Sequence, residues 1–252
     1  MDGTTAGVVA FCCLFTAAAG GALLHARIPA AVLAGPVGAT LRRSTWIVAV
    51  MASIMLATLT VYLKSTFDAA DRDVRTLAFE IIELDHAMRR LGPQADPARA
   101  VLFRYTARTM KDIWPETPQA LLPADTHADQ LFAELDNGIA RLSSDDPAAR
   151  ERIDAVRAEL RDVSHARWEV ELRDGRWISP LTEALLLLWL TLTFGGLGLS
   201  TERSPVALAV LGTCAAALAS AVFLAVEYSD PYQGTIVVSS EPLRDALFLL
   251  SD

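Results

Sequence analysis

Four long apolar runs dominate the pattern of hydrophobic and polar positions along the chain. They cover residues 4–24, 46–63, 181–200 and 205–226. A helix that rises about 1.5 Å per residue needs about 20 residues to cross about 30 Å of hydrocarbon, and each run is close to that length. The runs pair as two hairpins on either side of a long polar insert. The sequence therefore predicts an all-α membrane protein with four transmembrane helices in two hairpins.

The first apolar run is expected to be a true span rather than a cleaved signal peptide. Small residues at 17–21 would suit a cleavage site. A signal peptide, however, begins with basic residues and has a shorter apolar core. Residues 1–6 contain no Lys or Arg, so we expect the run to stay in the membrane.

The first part of the insert, residues 67–91, has the apolar spacing of a helix with one narrow stripe. It begins four residues after the second run, with no Gly or Pro between them, so the pattern predicts one helix that continues out of the membrane. Gly92 and Pro93 are expected to end it. The stripe consists of Val74, Leu77, Ile81, Leu84, Met88 and Leu91.

Three further helices are predicted in the insert. Asp96 and Pro97 form a cap and first turn, Trp114 and Pro115 end that helix, and a Pro-rich link over 115–123 leads to a short helix near 126–142. Asp146 and Pro147 open the last helix, which runs to the third apolar run. Its stripe is Ile153, Val156, Leu160, Val163, Arg167, Val170, Asp174 and Trp177.

Together these helices predict an antiparallel helical bundle inserted between transmembrane helices 2 and 3. The stripes would form the core of that bundle, or they would also make contacts between subunits. The sequence then divides into a first transmembrane hairpin (1–63), a polar helical stalk domain (64–179), a second transmembrane hairpin (180–226) and a surface-folded C-terminal tail (227–252).

Charge is concentrated in the insert and is acidic overall. Residues 64–179 carry 17 basic and 22 acidic side chains, and the whole chain has a net charge of −8, which argues against nucleic-acid binding. The two short hairpin loops contain Arg27, Arg42, Arg43 and Arg203. Because basic residues favour the cytoplasmic side, we expect these loops inside and the insert and both termini outside.

The sequence shows no pattern that indicates catalysis or a bound metal. Its three cysteines all lie in apolar runs, and its four histidines are scattered without metal-ligand spacing. There is no glycine-rich phosphate loop or nucleophile motif. We therefore expect no enzyme activity, no cofactor and no metal, and we expect the acidic residues of the insert to lie on solvated helix faces.

Three carboxylates lie at one predicted membrane rim. Glu183 opens the third run, Glu227 ends the fourth and Asp230 follows closely. Ionisable groups beside lipid are candidates for a gate or an ion-binding site. The alternative is that they simply reach water at the interface or, for Glu183, cap a helix N-terminus.

The most distinctive string begins at Glu227 and runs through Pro231, Tyr232 and Gly234 to Pro242. It resembles the closing motif of the bacterial bestrophin-like membrane proteins, with Tyr232 where phenylalanine is usual. The other residues that resemble the family lie in the insert and the third apolar run. They are Glu80, Asp85, Tyr105, Trp114, Pro115 and Trp189, with the glycines up to Gly198.

Similarity to bestrophins implies a homo-oligomeric anion channel in a bacterial inner membrane. The second run, however, reads Trp46-Ile47-Val48-Ala49-Val50 rather than showing a phenylalanine-rich constriction. The acidic rim would also repel anions. The alternative function is a membrane sensor or scaffold whose helical domain binds a protein partner or ligand.

Overall fold

The structure is a computed structural model that describes residues 3–29, 35–114, 127–172, 180–201, 204–232 and 234–251. Of Pro180 and Glu183 only the backbone is described. Within these ranges the chain is helical and has no β-strand. The helices are α1 (Gly3–His25), α2 (Pro36–Arg89), α3 (Asp96–Ile113), α4 (Ala128–Ala140), α5 (Pro147–Leu172), α6 (Pro180–Leu199), α7 (Pro205–Glu227) and α8 (Glu241–Leu250).

The chain forms two compact units. Residues 1–67 and 175–236 make an apolar unit, and residues 68–174 and 237–252 make a polar unit. Helix α2 contributes residues to both. This confirms the prediction that the second apolar run continues as one helix into the insert.

Three helices, α1, α2 and α7, are long and apolar enough to cross a membrane. The fourth predicted span corresponds to α6, a helix of 20 residues, Pro180–Leu199, in which the part with all side chains described, Ala184–Leu199, is apolar. Three of the four predicted spans are therefore confirmed by length and composition, and the fourth stays a prediction.

Helix α1 packs against both α6 and α7 in the apolar unit. Glycines allow the backbones of α1 and α6 to lie close together. A Cβ added at Gly198 would collide with the Ala18 backbone, and one added at Gly21 would lie 2.7 Å from the Leu199 nitrogen. In a membrane, where lipid is as apolar as leucine, such close backbone approach is a main source of helix association. The α6 glycines therefore serve packing within a continuous helix.

The predicted breaks in the polar unit are confirmed, with one change of detail. Gly92 has a positive φ of 78° and precedes a short 3₁₀ turn, Pro93–Ala95. Asp96 is the first residue of α3 rather than its cap, because Ala95 occupies that position and no side chain caps the helix. Trp114 ends α3 as expected.

Helices α4 and α5 also begin close to the predicted residues. Asp146 caps α5, since its Oδ1 accepts the N–H of Ala148 at 3.2 Å. The predicted Pro-rich link over 115–123 and the last two stripe positions, Asp174 and Trp177, lie outside the described residues. The buried α5 stripe is Ile153, Val156, Leu160, Val163, Ala166 and Val170.

The tail contributes α8 to the polar unit, where it contacts α3. Its apolar face buries Leu243, Leu247 and Leu250, so α8 is an amphipathic helix. The indole Nε1 of Trp114 donates to the carbonyl oxygen of Val238 at 2.9 Å. Trp114 thus fastens the segment that leads into α8.

Candidate functional site

The last residue of α7, Glu227, is a buried carboxylate and is only 4% exposed. Its Oε2 accepts the backbone N–H of Thr235 at 2.6 Å and that of Ile236 at 3.0 Å. A buried carboxylate is costly unless it is hydrogen-bonded, and these two donors satisfy it. Glu227 therefore fastens the chain that follows α7 back onto the end of the helix.

Two glycines leave the space that this carboxylate occupies. Gly234 has a φ of 119°, a conformation that favours glycine, and a Cβ added there would lie 2.8 Å from Oε2 of Glu227. A Cβ at Gly3, at the start of α1, would collide with Oε1. The spacing Glu227 to Gly234 in the family motif thus has a direct physical reason.

An aromatic and cationic group lies beside this carboxylate in sequence. The rings of Phe67 and Tyr228 are tilted with centroids 5.4 Å apart. The Nζ of Lys64 lies 5.5 Å from the Phe67 centroid and 5.6 Å from that of Tyr228, within the range of cation–π attraction. Lys64 is the first charged residue after the second apolar run, so this cation marks the end of that run.

The other two predicted rim residues are Asp230 and Glu183. Asp230 is half-buried, and its backbone N–H donates to the carbonyl oxygen of Glu227 at 3.4 Å. Its carboxylate has no hydrogen-bond or ion-pair partner among the residues that the structure describes. Glu183 lies in α6, but its side chain is outside the described part. Glu227 and Asp230 are therefore together on one turn, and a three-residue rim stays a prediction.

Asp85 corrects the expectation that the carboxylates of the insert are all solvated. It is 2% exposed, and it accepts hydrogen bonds from Nε of Arg89 at 2.6 Å and Nε of Arg99 at 2.7 Å. Arg89 also donates to the carbonyl oxygen of Leu249 at 2.8 Å. This network joins α2, α3 and the end of α8. The two arginines offset the cost of burying the Asp85 carboxylate.

Tyr105 is fully buried between α3 and α4. Its ring is tilted against Phe132 with centroids 5.4 Å apart, and burial raises the pKa of its hydroxyl to about 12. The guanidinium of Arg167, from α5, lies 5.1 Å from the Phe132 centroid and pairs with Asp129 and Glu171. Burial lowers the pKa of Arg167, but these partners outweigh it and the pKa is raised overall.

Glu80 lies in an acidic cluster on the polar unit. Oxygen atoms of Glu80, Glu159 and Asp162 all lie within 4.8 Å of one another. Burial raises the pKa of Glu80, and the neighbouring carboxylates Asp162, Glu159 and Glu83 raise it further. The folded state therefore holds this proton more tightly than the unfolded chain. Protonated Glu80 therefore stabilises the folded state at pH below the ordinary pKa of 4.5. This contribution is lost as the pH rises through the raised pKa of the folded protein.

Several residues of these clusters were not found from the sequence. Arg89 lies four residues after Asp85 on one helix, so the spacing was a usable signal for that pair. Arg99 and Gly3 gave no local signal, because each meets its partner only after the chain folds back. Pro231 and Tyr232, which follow Glu227 closely in the sequence, are both buried. Pro115 lies outside the described residues.

These helices and contacts define an α-helical integral membrane protein. The sequence of residues 7–243, which is most of the chain, matches the family model of the bestrophin-like domain. The chain therefore belongs to the bestrophin-like family, as its motifs predicted. No curated protein shows significant sequence similarity to it.

Solved structures of a bacterial bestrophin homologue from Klebsiella pneumoniae have the same fold. One, phased on zinc, has a TM-score of 0.71 and 14% identity and covers 96% of both chains. A single-residue variant of that homologue has a TM-score of 0.73 and 15% identity, covering 99% of this chain and 98% of its own. A second variant has a TM-score of 0.70 and 15% identity, covering 97% and 99%.

Proposed function

We propose that this chain assembles into a homo-oligomeric ion channel in a bacterial inner membrane. Family membership supports the proposal, since the resemblance to bestrophins implies ion conduction, and the shared fold extends over nearly the whole chain. The observation that carries the oligomeric part is an exposed face of α2. The proposed function is non-enzymatic.

Three residues on one side of α2, Ile47, Met51 and Thr58, define what we call the outer face. All three are exposed in the single chain, although the helix crosses the apolar unit. Elsewhere on the same helix, Ala52 and Leu56 are buried in the core of the apolar unit. A spacing of four and seven residues keeps the outer face on one side of the helix. We propose that copies of this face meet around the symmetry axis.

The proposed topology has four spans in two hairpins, with an antiparallel helical bundle between spans two and three. The domains are those expected from sequence, namely 1–63, 64–179, 180–226 and 227–252. The short-loop arginines favour an extracytoplasmic bundle and termini. A membrane-impermeant reagent applied to sealed cells would label tags at both ends and in the bundle together, and mixed labelling would contradict this topology.

The rim carboxylates would set the sign of the permeant ion. A ring of acidic side chains favours cations, and each copy would contribute Glu183 and Asp230 to such a ring. Glu227 is committed to two backbone N–H groups, so we propose that it holds the rim in shape. Its role as a gate stays a prediction.

Cysteine cross-linking tests the proposed oligomer contact at the outer face. In a background with Cys12, Cys13 and Cys214 replaced by alanine, each Met51→Cys chain has a single thiol and is expected to give covalent dimers with bifunctional maleimides in native membranes. The matched control is Ala52→Cys, because Ala52 is the next residue and is 0% exposed. Gel electrophoresis provides the measurement.

A Met51→Cys variant that remains monomeric with every spacer length would contradict the outer-face contact. Equal cross-linking of the Ala52→Cys variant would do the same, because it would show that the helix faces are not distinguished. Expression level and the elution volume on size-exclusion chromatography in detergent serve as controls for the folding of both variants.

The alternative is a sensor or scaffold whose polar unit binds a protein partner. Exposed apolar side chains on the polar unit, Phe79, Trp168 and Leu172, favour a docking surface of some kind. Purification in mild detergent distinguishes the two functions. A stoichiometric second protein would support the scaffold, whereas the chain alone would support the channel.

A further inference from the structure

A groove of about 550 Å³ lies between α2 and α6 in the apolar unit. Its walls are mainly Trp46, Ala49, Val50 and Ile54 of α2 and Leu197 of α6. Arg42 also lines it, and Arg42 is the first of the α2 residues along the helix. The groove is thus an apolar cleft between two helices, with the guanidinium of Arg42 at one end.

The length of the groove fits one leaflet of a bilayer. At about 1.5 Å per residue, α2 extends about 18 Å from Arg42 to Ile54. Half of the hydrocarbon core of a bilayer is about 15 Å. An acyl chain that lies against this wall would therefore extend from the headgroup level towards the bilayer centre, with the guanidinium at the headgroup level.

Charge indicates which occupant this groove accepts. Arg42 has no hydrogen-bond or ion-pair partner in the described part of the chain. Residues 3–63 contain three arginines, Arg27, Arg42 and Arg43, and no Asp or Glu. A second copy that covered the groove with the same segment would bring more cations to Arg42. A phosphate would give the Arg42 guanidinium a partner of opposite charge.

We propose that this groove is a binding site for an anionic phospholipid, with an acyl chain along Ala49, Val50 and Ile54 and the phosphate at Arg42. Thr45 and Ser200 also line the groove and carry hydroxyl groups suited to the polar part of the lipid. Basic pockets between membrane helices bind anionic headgroups by this combination of charge and apolar area. The site is independent of ion conduction and does not rest on the proposed function.

Native mass spectrometry of the purified protein, titrated with phosphatidylglycerol and phosphatidylcholine, tests the headgroup contact. The wild-type protein is expected to bind phosphatidylglycerol about fivefold more tightly, and Arg42→Gln is expected to remove that preference. Arg43→Gln is the matched control, since Arg43 is an exposed neighbour of equal charge that does not line the groove. It is expected to keep the preference within about twofold.

A second variant tests the acyl-chain part of the site. Ala49→Phe places a ring in the groove and is expected to weaken binding of both lipids alike while their ratio is unchanged. Thermal unfolding in detergent verifies that each variant is folded.

Three results would overturn the lipid site. Equal loss in Arg42→Gln and Arg43→Gln would indicate a diffuse surface charge. An unchanged preference in Arg42→Gln would remove the phosphate contact. A change of subunit number in Ala49→Phe without a change in lipid binding would show that the groove is a contact between copies of the chain.

Discussion

Replacing Glu227 with alanine is expected to lower the free energy of unfolding by about 3 kcal/mol, because two backbone N–H groups lose a charged acceptor. Glu227→Gln keeps an amide oxygen in the same place, so we expect a smaller loss of about 1 kcal/mol. Thermal unfolding in detergent gives the order of stabilities. Hydrogen exchange at Thr235 and Ile236 gives a local measurement, and it is expected to accelerate most in the alanine variant.

Asp230→Asn is the matched control for the Glu227 variants. Asp230 is only three residues away, but its carboxylate has no partner among the described residues, so the change is expected to stay within about 0.5 kcal/mol. Gly234→Ala should resemble Glu227→Ala, because its Cβ would displace the carboxylate. If Glu227→Ala unfolds like Asp230→Asn and the two amides stay protected, Glu227 does not fasten the tail.

Gly21→Ala is expected to destabilise the apolar unit by about 3 kcal/mol or to prevent its assembly. The added Cβ would meet the Gly195 carbonyl oxygen and lie 2.7 Å from the Leu199 nitrogen, and both atoms belong to backbone that cannot rotate away. Overpacking of this kind forces the helices apart. The measurement is thermal unfolding of a fluorescently tagged protein, followed by size-exclusion chromatography.

The adjacent residue provides the control for this contact. Gly20 has nothing within 4 Å of an added Cβ, so Gly20→Ala is expected to be neutral or slightly stabilising, since alanine is the better helix former. A Gly21→Ala variant as stable as Gly20→Ala would show that α1 and α6 are not in close backbone contact. Gly198→Ala, on the opposite helix, is expected to be as damaging as Gly21→Ala.

Local signals in the sequence were sufficient to predict the helices. The absence of Gly and Pro between the second apolar run and the stripe predicted the continuous α2, and Gly92 with Pro93 predicted its end. These features depend on backbone conformation over a few residues, which the residue type largely sets. The same holds for the start of α5 at Pro147, where Asp146 supplies the cap.

Contacts between distant parts of the chain were not predictable in the same way. Asp85 was expected in water, and its burial depends on Arg99 from another helix as well as on Arg89 from its own. Glu227 was predicted as a rim residue, but the space for its carboxylate depends on Gly3, which begins a different helix. A period or a motif states which face of a helix is apolar, but it does not state which partner that face meets.

Ion flux through purified, reconstituted protein tests the central proposal most directly. Liposomes that contain the oligomer are expected to conduct ions above the level of protein-free liposomes, with potassium favoured over chloride and with that preference reduced in Asp230→Asn. Potassium, sodium and chloride would each be measured by ion-selective dyes or electrodes. A folded oligomeric preparation that passes none of these ions, in vesicles of both protein orientations, would contradict the channel.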